Sequence, residues 1–225
     1  MNEFQIECIS LSKQFTRNKQ IVKAVTDINL GVRKNEMVIF KGHSGAGKST
    51  LLNLMSGLIN PTSGKVMIDN ICLNELNNDA LSELLLNSIG IIFQSFNLLP
   101  TYTVYENIEI ATVPKGGNKN IVKENILSLL DQFDLTQKSR ALPSELSVGQ
   151  QQKVAIIRTL IKQPSIIFAD EPTGSVDDRT AGEIMDHLIT MKKEKKVTLV
   201  LATHGNIIEK FADKVFIMEN GTINN

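Results

Sequence analysis

Positions 42–49 read Gly42-His43-Ser44-Gly45-Ala46-Gly47-Lys48-Ser49, a full match to G-x-x-x-x-G-K-[ST]. The apolar run 37–40 stands before it and the periodic run 50–54 after it, so strand, tight loop and helix are expected in immediate succession. The glycines let the backbone wrap closely around an anion with successive N–H groups turned inward. The following helix points its positive end at the same place. A chain built around such a loop needs a strand to carry it and a helix to return from it, which already favours an α/β sheet.

The rest of the chain fits that demand. Strands are expected over 4–10, 24–32, 36–41, 65–69, 89–93, 165–170, 197–202 and 214–219. Helices are expected over 48–56, 79–86, 121–133, 150–161 and 178–192. The runs 166–169 and 199–202 are continuously apolar, as strands buried on both faces should be. From about 95 to 163 the pattern is helical with no convincing strand, which predicts a mostly helical insert between sheet strands, with a flexible loop at Lys115-Gly116-Gly117-Asn118. The cluster 192–196 reads as a solvated helix end.

Composition narrows the function. Lys plus Arg and Asp plus Glu are 24 each in 225 residues, so bulk electrostatic binding to nucleic acid or anionic lipid is not expected. No strictly apolar run exceeds four residues, far short of the roughly 20 that a membrane-spanning helix needs. The acidic, alternating N-terminus is not a signal peptide, and Cys8 and Cys72 have no metal-ligand spacing, so a reducing cytosolic setting is expected.

Within the loop, Lys48 is placed to pair β- and γ-phosphates and the Ser49 hydroxyl to ligate Mg²⁺. A second acidic motif supports this: the apolar run 166–169 ends in Asp170 and Glu171. Asp170 is placed to hold Mg²⁺ directly or through water, and Glu171 to orient or deprotonate an attacking water.

Further segments resemble one family. Leu146-Ser147-Val148-Gly149-Gln150 resembles the Leu-Ser-Gly-Gly-Gln signature of ATP-binding-cassette (ABC) ATPases. Phe93-Gln94 is similar to their glutamine loop, Thr203-His204 to their switch histidine, and Gly174-Ser175-Val176-Asp177 to the loop carrying a cross-dimer aspartate. The motifs stand in the family's order and span the chain. The resemblance implies a P-loop NTPase (RecA-like) α/β core with an N-terminal antiparallel β subdomain. It divides the chain into core and β subdomain over 1–93 and 164–225, with an inserted helical subdomain carrying the signature over 94–163.

It also implies an ATPase acting as a head-to-tail homodimer with two ATP molecules and Mg²⁺ between the subunits. Nucleotide contacts would come from Phe15, Gly42, His43, Ser44, Gly45, Ala46, Gly47, Lys48, Ser49 and Thr50 of one subunit. Ser147, Gly149, Gln150 and Asp177 of the other would complete the site. Gln94, Glu171 and His204 would be catalytic, with Ser49, Gln94 and Asp170 at the metal. Phe15 stands where the family often stacks a tyrosine on adenine; the alternative is a core phenylalanine. Val148 replaces a glycine, and a β-branched residue resists φ > 0 and adds bulk, so slower hydrolysis is expected. Val176 stands where leucine is common, and Gly205 where aspartate is common.

The segments 93–100, 105–108, 143–147 and 169–174 resemble the branch of macrolide-efflux, lipoprotein-release and antimicrobial-peptide-resistance ATPases. That implies a separately encoded integral membrane permease, peripheral location on the cytoplasmic face of the membrane, and export or extraction. The alternative is a cell-division or envelope-signalling ATPase that transmits conformational change without transport. A soluble role in translation or DNA repair fits least, because such proteins usually carry tandem cassettes or long coiled-coil insertions. Phe96, Leu98, Leu99 and Tyr102 are candidates for anchoring the permease or for packing the insert onto the core.

Overall fold

A computed structural model describes residues 3–17, 20–116, 118–204 and 209–224. Gly117 of the expected flexible loop and Gly205 after the histidine lie outside the described residues.

Among the described residues the chain forms two sheets and six α-helices. The smaller sheet is antiparallel, in the order β2-β1-β4-β5, from β1 (Ile6–Arg17), β2 (Gln20–Val32), β4 (Ser63–Ile68) and β5 (Ile71–Cys72). The larger runs β10-β9-β3-β8-β7-β6, from β3 (Met37–Lys41), β6 (Ile89–Ile92), β7 (Ile166–Asp170), β8 (Thr198–Thr203), β9 (Lys214–Glu219) and β10 (Thr222–Asn224). Its strands pair in parallel except for β10, which closes one edge antiparallel to β9. The helices are α1 (Lys48–Met55), α2 (Asn78–Asn87), α3 (Val104–Glu109), α4 (Lys119–Gln132), α5 (Val148–Leu160) and α6 (Asp178–Lys195).

The period-two alternation of the central strands divides the core in two. Val38 and Phe40 of β3, Phe168 of β7, and Val200 and Ala202 of β8 face α1 and the antiparallel sheet. Met37, Ile39, Ile167, Leu199 and Leu201 face α5, α6 and the helices beyond them. This is why 166–169 and 199–202 are apolar without a break: both faces are covered. Helices α3, α4 and α5, inserted between β6 and β7, share the second cluster with the sheet and do not build a core of their own. Helix α5 is therefore fixed to the larger sheet by packing.

Three differences from the sequence reading have local causes. β1 continues to Arg17 through Ser10, whose φ is +44°, and register shifts after Cys8 break the alternation there. α3 is only six residues long, too short to show a period, and is set by a capping box: Thr103 Oγ1 accepts from Glu106 N–H while Glu106 accepts from Thr103 N–H. α6 runs on to Lys195 and ends at Lys196, with φ +55°. Lys192 in its last turn donates to Asp213 at 2.7 Å, so the charge cluster is a helix end tied back to the core at one point.

Candidate functional site

The glycine-rich loop joins the end of β3 to α1. Gly47 is the N-cap of α1, with φ +103°, and a Cβ there would stand 2.2 Å from the Ala24 carbonyl oxygen. Both the dihedral and the close approach require glycine. No side chain caps α1, so nothing from the loop's own side chains competes for its first-turn amides. The Lys48 ammonium is buried and donates to the carbonyls of Gly42 (2.8 Å) and His43 (3.1 Å), which holds it across the mouth of the loop. His43 turns its ring to the Ser44 carbonyl at 2.8 Å.

A cavity of about 540 Å³ opens over this loop. Ser44, Gly45, Gly47, Lys48, Ser49 and Thr50 line one side; Gln94, Glu171 and His204 line another, and Val22, Lys23 and Ala24 complete it. Gln94, 46 residues from Lys48 in sequence, arrives just after β6, which pairs with β7 at the edge of the sheet. Asp170 ends β7, and hydrogen bonding to Ser49 ties it to the loop. Burial pushes the Asp170 carboxyl up, and the neighbouring Glu171 adds to this; Ser49 and Lys48 pull the other way. Asp170 Oδ1 and Glu171 Oε2 are both buried without a hydrogen-bond partner. Two orphaned carboxylate oxygens beside a phosphate loop are a demand for a cation or ordered water.

Glu171 itself has φ +47°, a left-handed conformation uncommon for a non-glycine residue. Its N–H donates to the Ala202 carbonyl (2.9 Å), its carbonyl accepts from Gly174 N–H (3.1 Å), and its Oε1 accepts from His204 Nδ1 (2.9 Å). The histidine comes from the end of β8, next to β7 in the sheet, so neighbouring parallel strands deliver the pair. Among the described residues no three His, Cys, Asp or Glu side chains cluster as a metal site. A Mg²⁺ bound through one carboxylate, a serine hydroxyl, phosphate oxygens and water does not need such a cluster, and Asp170 with Ser49 fits it.

The remaining candidates stand apart from this cavity. Ser147 is the N-cap of α5 in a capping box: its Oγ accepts from Gln150 N–H (3.2 Å) and its own N–H donates to Gln150 Oε1 (3.0 Å). The Gln150 amide is thus engaged within its own chain. The Ser147 hydroxyl proton and the amides of Val148 and Gly149 have no acceptor within the helix. Val148 opens the helix with a negative φ, so the expected backbone strain at this position does not arise; its side chain, 47% exposed, remains as bulk on the surface. A Cβ on Gly149 would come 2.9 Å from Thr180 Cγ2 in the first turn of α6. Asp177 caps that helix by accepting from Thr180 N–H (3.0 Å) and Thr180 Oγ1 (2.8 Å), and these bonds hold its carboxyl below the usual range. The signature turn and the Asp177 turn therefore abut.

Phe15 is 42% exposed, which removes the core alternative. It lies opposite Val22 on the β1–β2 ladder with Lys13 Nζ 5.3 Å from its ring centroid; Val22, not Phe15, lines the cavity. Of the proposed anchors, Leu98 packs against the core while Leu99 and Tyr102 are exposed. Three residues that the sequence reading passed over hold these loops. Asn107, fully buried, accepts from Leu99 N–H (2.7 Å) and donates to the carbonyls of Leu99, Tyr102 and Thr103. Arg158 of α5 donates to the Phe96 (2.8 Å) and Asn97 (2.7 Å) carbonyls, and Gln152 of α5 to the Pro172 carbonyl (2.8 Å).

The chain is similar to known proteins in sequence and in fold. A family model described as "ABC transporter" matches residues 25–174. The methionine import ATP-binding protein MetN 4 of Oceanobacillus iheyensis is 41% identical over 219 residues, which are 97% of this chain. This chain spans 63% of that relative's length. A lipoprotein-releasing system ATP-binding protein LolD of Ehrlichia ruminantium is 40% identical over 217 residues, covering 96% of this chain and 95% of that one. Among solved structures, the dimeric post-hydrolysis state of the cassette MJ0796 bound to ADP and Pi superposes with a TM-score of 0.93 at 34% identity, covering 98% of this chain and 97% of that one. MJ0796 is from Methanocaldococcus jannaschii.

Proposed function

This chain belongs to the ABC transporter family, and on that premise we propose that it is the ATP-binding and ATP-hydrolysing subunit that drives a membrane permease. The observation that carries this reading is the convergence of the phosphate loop, Gln94, Glu171 and His204 on one cavity, while the signature turn and Asp177 form a second surface outside it. A site divided in this way is completed by a second copy placed head to tail, whose signature turn meets the first copy's nucleotide. The dimeric MJ0796 cassette with ADP and Pi supports the same assembly.

In this reading the loop amides and Lys48 bind the β- and γ-phosphates, and Phe15 with Val22 flanks the base. Ser49 and Asp170, with Gln94 through water, would hold Mg²⁺; when bound, it neutralises charge developing between the β- and γ-phosphates. Glu171, fixed by its backbone bonds, accepts a proton from the attacking water through Oε2, the oxygen left free when His204 holds Oε1. His204 thereby orients the base. Ser147 donates its hydroxyl toward the partner's γ-phosphate.

Among the described residues no helix is long and apolar enough to cross a membrane, in keeping with a peripheral subunit on the cytoplasmic face, held by a separate permease. The relatives' names span methionine import and lipoprotein release, which supports placing direction and substrate in the permease and not in this chain. The segment resemblances favour the release and resistance branch. The test is Glu171→Gln: hydrolysis should fall by about 100-fold or more, and the variant with ATP and Mg²⁺ should elute as a stable dimer. A persistent monomer contradicts the sandwich; undiminished hydrolysis removes Glu171 as the base.

A further inference from the structure

Glu171 adopts a strained backbone, and strain at a functional residue persists only where surroundings over-determine it. Two of its restraints, the bonds to Ala202 and Gly174, belong to the sheet and to its own turn. Besides these and the His204 bond, a further restraint acts on the next residue and comes from a different part of the chain. Gln152, 2% exposed in α5, donates Nε2–H to the carbonyl of Pro172, the residue that follows Glu171, at 2.8 Å. A carbonyl only accepts, so the amide must present its nitrogen, and its Oε1 is then left buried without a partner.

That orphan is the informative part. An apolar side chain of the same volume would avoid burying Oε1 but would leave the Pro172 carbonyl without its donor, so the bond to this turn is what glutamine supplies here. Glutamine is the worse choice for packing, and its one bond goes to the turn of the catalytic glutamate. We infer that Gln152 is a positioning residue for Glu171. The helix that presents Ser147 to a partner's nucleotide thus also grips, about one turn further along, the segment carrying its own subunit's base. Seating of α5 against the partner is in this way felt at Glu171. The inference rests on the role proposed for Glu171 above.

Gln152→Met keeps the volume and removes the donor; Gln152→Leu also removes it, with a branched apolar side chain. Both should lower kcat for Mg-ATP hydrolysis roughly 10- to 100-fold and leave the affinity for a fluorescent ATP analogue at the wild-type value. In single-turnover measurements the loss should disappear when Glu171→Gln is already present, because a residue acting through Glu171 has nothing left to position. Wild-type kcat in Gln152→Met overturns the inference. So does an equal fractional loss in the Glu171→Gln background, a parallel loss of nucleotide affinity, or failure of both variants to fold; each of these assigns Gln152 to packing. If Glu171→Gln alone hydrolyses ATP normally, it is the role of the glutamate that fails, which is a separate outcome.

Discussion

Helices α1 and α5 both begin at an exposed turn and both carry a family motif at that turn, yet they close their first turns in opposite ways. α1 starts from Gly47 with no side-chain cap, and its amides face the cavity of their own chain. α5 starts from Ser147 with a reciprocal cap to Gln150, outside that cavity. An uncapped helix end is costly in isolation, and it makes sense where an anion supplies the missing acceptors. A capped end stands stably by itself, which suits a surface that waits for a partner. On the proposed function, the difference separates a site that binds nucleotide in one subunit from a surface that acts only in two.

Gly47→Ala attacks the first of these and carries the largest expected effect. Its Cβ would overlap the Ala24 carbonyl at 2.2 Å, and the left-handed φ adds strain of about 1–2 kcal/mol. Nucleotide binding should be lost in the monomer, and thermal unfolding should move down by several degrees. A fluorescent ATP analogue bound with wild-type affinity would show that the loop tolerates a side chain and that the distinction is wrong.

Ser147→Ala attacks the second. Losing the cap should cost about 1 kcal/mol of stability. Nucleotide affinity of the single chain should not change, because Ser147 does not line the cavity. Hydrolysis should fall about tenfold or more, and the ATP-bound dimer of Glu171→Gln should no longer form when the two changes are combined. A variant that loses monomeric nucleotide binding as well would place the signature turn in its own subunit's site.

The same two regions show what the sequence makes legible. The phosphate loop works through backbone amides and dihedrals packed into eight consecutive residues, so its glycines and Lys48 announce it. Asp170 and Glu171 are equally local, since a strand end presents them together. The restraints on these groups are not local. Gln152 reaches Pro172 across 20 positions and Arg158 reaches Phe96 across 62, each to a backbone carbonyl. A carbonyl has no residue identity, so no pairing of side-chain types could reveal either bond. Asn107 is hidden for the same reason, with three of its four bonds to carbonyls. Gln150 shows the reverse case: S-x-x-Q before an apolar run is a capping-box pattern visible in sequence, and Ser147 and Gln150 form that cap.

Val148→Gly gives the smallest and most discriminating effect. The sequence suggested that valine strains the signature turn, but Val148 sits at the first helical position with an ordinary negative φ, so relief of strain cannot be the source of any change. Glycine there should lower stability by only about 0.3–0.5 kcal/mol, the difference in helix propensity, since little apolar surface is lost from a side chain 47% exposed. What changes is the surface: an exposed isopropyl group leaves the turn next to Ser147. If that surface meets the partner's nucleotide, hydrolysis should rise a few-fold in Val148→Gly while monomeric nucleotide affinity stays constant. A rate unchanged from wild type would mean that bulk at this position does not meet the partner's phosphate.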